Sequence, residues 1–185
     1  MPDPHAIIDQ LSPGEALAIL KTLAASNQQL ARRIAKMGTA YLSKVDVEEV
    51  AGVLYDELDA LEVEEVWDRS GKTRHGYVDT GEAADQMIEE VIEPYLERLK
   101  KHQTLGMSTE ASKLCRGLLL GLYRFDRESQ SEFKNWAIDA PGEFALSVIA
   151  AWRAGKPGRK DVSALKQFIA NELGAWEAHL VRALS

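Results

Sequence analysis

Leu114-Cys115-Arg116-Gly117-Leu118-Leu119-Leu120-Gly121-Leu122-Tyr123 decides how this chain folds. The run is apolar on nearly every side, broken only by Arg116 and two glycines. A helix of that character belongs at the centre of a bundle, covered on several faces. Gly117 and Gly121 lie one turn apart, so that face carries no side chain and admits a close neighbour. In a bilayer the same spacing would suggest dimerisation, but no uninterrupted apolar run reaches the ~20 residues needed to span one. Leu105-Gly106 closes the preceding segment and Ser108 opens this one.

Working outward, the apolar residues recur at spacings of three and four from Ser12 to Leu184, the period of an amphipathic helix. Ser12-Pro13-Gly14-Glu15 has the layout of a capping box with proline in the first turn. Asn27 caps a second helix bearing Leu30, Ile34, Met37 and Tyr41. Asp46 caps a third, read through to Asp68, with Val47, Val50, Leu54, Leu58 and Leu61 on one stripe. Trp67 to Tyr77 reads as a loop. Thr80 to Gln103 is the longest helix, with Pro94 expected to kink it near Glu90. Ser131–Ile138 reads as a short helix, and Asp139 introduces another. Asp161 is expected to cap a last continuous helix carrying Leu165, Phe168, Ile169, Leu173, Trp176 and Leu180. The fold class is therefore all-α, about eight helices in antiparallel pairs. The expected organisation is a single domain over 1–185, with an N-terminal helical subunit at 12–66 and a main array at 80–185.

The bulk properties agree with a packed domain. The chain has 185 residues, 45% of them hydrophobic, with mean hydropathy −0.24. Its one cysteine, Cys115, excludes an intrachain disulfide, and the start, Met1 to His5, has no basic region leading into an apolar stretch. Both point to the cytoplasm. The net charge of −7 disfavours nucleic acid as a partner, since phosphate contacts require Lys and Arg. The charge is uneven. Residues 1–95 hold 19 acids and 8 bases; residues 96–185 hold 10 acids and 14 bases. From Asp46 to Asp68 there are ten acids and no Lys or Arg, which is either a solvated helix face or an acidic docking surface.

Catalytic chemistry is hard to find. Ser70-Gly71-Lys72-Thr73 resembles the end of a phosphate-binding loop, but Val66 stands where that motif needs its first glycine. His5, His75, His102 and His179 form no metal-binding spacing and read as surface or loop groups, and with one cysteine no zinc cluster is expected. No cofactor is expected either. Cys115, with apolar neighbours, reads as a buried inert thiol. The carboxylate pairs Glu48/Glu49, Glu64/Glu65 and Glu89/Glu90 are adjacent and point about 100° apart on a helix. The remaining candidate surface is a mixture of aromatic and basic side chains: Trp67, Arg69, Lys72, Arg74, His75 and Tyr77. Such residues anchor interfaces, and the competing reading has Trp67 and Tyr77 pinning the loop to the body. A second basic group, Arg153, Lys156, Arg159 and Lys160, suits a helix C-terminus better than a phosphate.

Leu11–Glu15, Leu30–Ile34, Gly76–Asp79, Gly117–Tyr123 and Trp136–Pro141 together resemble the α-helical region of uncharacterised bacterial proteins, some of which carry a SWIM-type zinc finger. The finger's Cys-x-Cys and Cys-x-His ligands are absent here, so its zinc does not carry over. The resemblance implies a tetratricopeptide-like helical array. The function expected from all this is a non-enzymatic scaffold that binds a protein or peptide, or a second copy of itself. The alternatives are an enzyme with a site assembled from distant helices, or an accessory to nucleic-acid machinery.

Overall fold

The structure, a computed structural model, describes residues 3–73 and 76–185. Among these residues it is all-α apart from one small hairpin. Ten α-helices run in the order α1 (Pro4–Asp9), α2 (Pro13–Ser26), α3 (Gln28–Leu42), α4 (Val47–Asp59), α5 (Val63–Arg69), α6 (Thr80–Thr104), α7 (Ser108–Glu128), α8 (Ala140–Ala154), α9 (Arg159–Glu172) and α10 (Glu177–Ala183). Two strands, β1 (Gly71–Thr73) and β2 (Gly76–Val78), separate α5 from α6. Short 3-10 turns occupy Glu132–Trp136 and Gly174–Trp176. The chain divides into two compact units, 1–44 and 45–185. That boundary lies earlier than the sequence suggests, because α4 and α5 belong with the larger unit.

The smaller unit is a helical hairpin with α1 before it. The Ser12 hydroxyl accepts from the Glu15 amide, and the Glu15 carboxylate accepts from the Ser12 amide at 2.9 Å, closing the capping box. The Asn27 side chain accepts from the amides of Gln29 and Leu30 at 2.8 and 3.2 Å, so one residue both ends α2 and starts α3. The helices pack on one another, with Ala16, Ala24, Ala31 and Ile34 partly covered.

The larger unit is built round α7. Its apolar run is covered by α4, α6, α8 and α9, and Leu114, Leu118, Leu119, Leu122 and Phe125 are fully buried. The most extensive contact is with α4, three helices earlier in sequence. There the glycines leave no room for a side chain. A Cβ on Gly117 would stand 2.6 Å from Val50 Cβ, and one on Gly121 would stand 2.9 Å from the Ala51 carbonyl oxygen. Ordinary carbon contacts are ~3.5–4.0 Å. Polar ties hold both ends of α4 to the C-terminal end of α7. Ser129 Oγ donates to Asp59 at 2.5 Å, and Arg124 pairs with Glu48 at 2.8 Å.

Several elements differ from expectation for local reasons. The acidic segment 46–68 is two helices with a turn at Ala60–Glu62. The loop at 67–77 contains the β1–β2 pair, in register Gly71↔Val78, Lys72↔Tyr77 and Thr73↔Gly76. Its glycines sit at φ +96° and +136°, a region open to glycine and costly to other residues. The last helix breaks at Leu173-Gly174 into α9 and α10, since glycine is a weak helix former. Gly158, not Asp161, precedes α9; the Asp161 carboxylate sits three residues in and accepts from the Gly158 amide. Helix α6 continues through Pro94 for 25 residues, about 37 Å. His102, expected at the surface, is buried on α6, its Nδ1 2.8 Å from the Arg98 carbonyl oxygen.

The packing at α7 makes a prediction with two signs. Gly117→Ala or Gly121→Ala should lower stability by roughly 1–3 kcal/mol through overpacking. Gly52→Ala on α4 meets nothing within 4 Å and should raise stability by roughly 0.5–1 kcal/mol through helix propensity. Urea titrations followed by circular dichroism read both; equal effects at the three positions would contradict the packing.

Candidate functional site

Two surfaces of the larger unit offer recognition chemistry. The first is the region anticipated from sequence. Lys72 and Tyr77 face each other across β1 and β2 and therefore share one side of the hairpin; Tyr77 is 78% exposed. Trp67 at the end of α5 is half exposed and meets Trp136 edge to face, with centroids 6.4 Å apart. Arg69 is engaged within the fold: its Nη1 donates to both Glu90 oxygens at 2.8 Å, and Glu65 lies 4.0 Å away. The structure thus brings Lys72 and Tyr77 together, turns Trp67 towards Trp136 and ties Arg69 to α6. Arg74 and His75 lie outside the described residues.

The second surface has no counterpart in the sequence reading. Between α6 and α8 runs a groove of about 730 Å³. Ile92, Leu96, Phe144 and Ala151 form its apolar floor, and Glu89, Glu93 and Glu97 stand along the α6 rim with Lys100 beyond them. The three acids are exposed and four residues apart, which places them on one face. From Glu89 to Gln103 the rim extends about 21 Å, the length of a helix of three to four turns. Gln103 closes one end: its amide donates to the carbonyl oxygens of Ala151 and Trp152, both at 3.0 Å, tying α6 to the last turn of α8. A Cβ on Gly155 would approach that amide to 2.6 Å, so glycine there leaves room for the lock. The available signal was the Glu89-x-x-x-Glu93-x-x-x-Glu97 row; its apolar counterpart on α8 lies some fifty residues away.

Groups that could do chemistry are placed differently. A pocket of about 340 Å³ gathers Asp85, Asp139 and Glu143 with Asn135 but no His, Lys, Arg or Cys. Burial, and secondarily the charge of Glu143, raises the Asp85 carboxyl above its ordinary value. The native state holds that proton more firmly than the unfolded chain. This carboxyl therefore adds stability at acid pH, a contribution lost as pH rises through its native value. Among the described residues no three His, Cys, Asp or Glu side chains gather as a metal site. The segment after Ser70 enters strand β1, not a helix, so it does not form the strand-to-helix turn that cradles a phosphate. In the late basic group, Arg153 donates to the Ala183 carbonyl at 2.6 Å, complementing the C-terminal end of α10. No helix of the described residues is long and apolar enough to cross a membrane.

Cys115 is fully buried in α7, and desolvation holds its thiol far above the usual range despite the adjacent Arg116. The thiolate is the reactive form. The native protein should therefore leave Ellman's reagent almost untouched, with one thiol titrating after unfolding in guanidinium. Rapid stoichiometric reaction of the native chain would contradict this placement. Comparison with protein-family models, with curated proteins and with solved structures finds no match to this chain.

Proposed function

We propose that the protein is a non-catalytic interaction module whose α6–α8 groove receives a basic amphipathic helix from a protein partner. The observation that carries this reading is the pairing of an apolar floor with a one-sided acidic rim of helical length. A helix laid in a groove offers its apolar side chains at i, i+3 or i+4, and i+7. Lys or Arg flanking that stripe would face Glu89, Glu93 and Glu97. Floor contacts would set the dissociation rate, and the exposed acids the association rate and its salt dependence. The tetratricopeptide-like kinship suggested by the sequence agrees with recognition by paired helices. A second reading places the partner on the β-hairpin, favoured by the exposure of Tyr77 and Trp67; there Lys72, Arg74 and His75 would supply the polar contacts.

A fluorescein-labelled 16-residue Leu/Lys amphipathic peptide and its Leu/Glu counterpart test the choice. The basic peptide should bind with an affinity that falls as salt rises, and the acidic one at least tenfold more weakly, about 1.4 kcal/mol. Glu93→Lys and Phe144→Ala should each weaken binding at least tenfold in chains that keep their helical signal. Equal binding of both peptides, or indifference to both substitutions, would overturn the groove. Loss of binding in Trp67→Ala or Tyr77→Ala alone would move the site to the hairpin.

A further inference from the structure

The groove between α6 and α8 has a direction. Gly81 and Asp85 of α6 line one pocket with Ala140 and Glu143 of α8, and Gln103 of α6 reaches the carbonyls of Ala151 and Trp152. The two helices therefore run parallel, their starts together at one end of the groove and their ends together at the other. Charge follows the same order on both. From Thr80 to Glu97, α6 carries six acids and no Lys or Arg; from Arg98 to Thr104 it carries Arg98, Lys100 and Lys101 and no acid. Helix α8 has Glu143 in its first turn and Arg153 in its last, with no other charged residue between.

We infer that the groove, taken as the binding site proposed above, holds its helix antiparallel to α6 and α8 and selects a segment with acids in its first turn and bases in the turns that follow. Two effects act in the same sense. An α-helix carries about half a positive charge at its N-terminus and half a negative one at its C-terminus. Helix α8 starts one turn before Phe144, and both α6 and α8 end beside Gln103. A partner laid antiparallel places its C-terminal carbonyls by the start of α8 and its N-terminal amides by the two helix ends. Side chains add to this. Acids in the first turn and bases in the last are the arrangement that a helix's own dipole favours. Antiparallel, the acids of such a segment meet Lys100 and Lys101, and its bases meet Glu97, Glu93 and Glu89 in turn. Turned round, it sets base against base at one end and acid against acid at the other. Among the described residues Glu89, Glu93 and Lys100 form no ion pair with another side chain, so their charges are open to a partner. Apolar contact also extends past the rim at the lysine end, where Leu105 is 54% exposed beside Lys100 and Lys101.

The probe is the Leu/Lys amphipathic peptide with glutamates placed in its first turn and a nitroxide at one terminus or the other. Amide resonances of the isotope-labelled full chain read which end lies where, since the ends of the rim stand about 21 Å apart. A C-terminal label should broaden the amides of 89–93 and of Phe144, and an N-terminal label those of 100–105. The reverse pattern, or equal broadening by both labels at both ends, overturns the direction and leaves the groove standing. Broadening at neither end, or binding untouched by Phe144→Ala, removes the groove and the direction with it. Lys100→Glu gives a second reading at an exposed position, where folding is not at stake. It should weaken the glutamate peptide about threefold at low salt, the scale of one exposed ion pair, and leave a peptide with glutamines in the first turn no weaker. Equal weakening of both peptides contradicts the pairing, as does weakening confined to a peptide whose glutamates stand in the last turn.

Discussion

The approach of α4 to α7 is the constraint on which the larger unit depends. Two glycines one turn apart on α7 let Val50, Ala51 and Leu54 of α4 sit against helix backbone. Helix pairs usually stand 8–10 Å apart, with the spacing set by contact side chains; removing those side chains from one partner brings the axes together. The chain uses this contact to join segments separated by the whole of α5, the hairpin and α6. With α4 fixed on one side of α7, α6 and α8 fill other sides, and the groove lies between these two. The proposed site is thus a consequence of how α7 is surrounded.

Polar contacts then fix registers more than they add stability. Tyr95 donates to Glu57 at 2.7 Å, Arg69 clamps Glu90, and Gln103 holds the end of α8. Exposed ion pairs contribute about 0–1 kcal/mol each, so Arg69–Glu90 and Arg124–Glu48 matter mainly for direction. Ser129 differs because it is buried: its bond to Asp59, together with the Ser131 amide donating to its Oγ at 3.1 Å, satisfies a hydroxyl at the end of α7. Arg116 is the contrasting case: its guanidinium lies over Phe168, 5.8 Å from the ring centroid, while its buried Nε finds no hydrogen-bond partner among the described residues.

What the sequence disclosed was local. Ser12, Asn27 and Asp46 announce helix starts because a side-chain oxygen satisfies amides two or three residues on. The central place of 114–123 follows from its having no polar face, and Gly117 and Gly121 point to a close neighbour without saying which. The breaks at Ala60–Glu62 and Gly174 were harder. Apolar spacing continues across both, and the first has neither Gly nor Pro to mark it. Strands of three residues are too short to show alternation, which hid β1 and β2. The groove was invisible for a different reason: its walls come from α6 and α8, brought together only by folding.

Native-state hydrogen exchange read residue by residue bears most directly on the claim that α4 and α7 form one packed unit. If the close approach organises the larger unit, the amides of 50–58 and 114–125 open only by global unfolding and share a single free energy. Exchange of α4 through a separate, lower-energy opening, while α7 and α8 stay protected, would contradict the account.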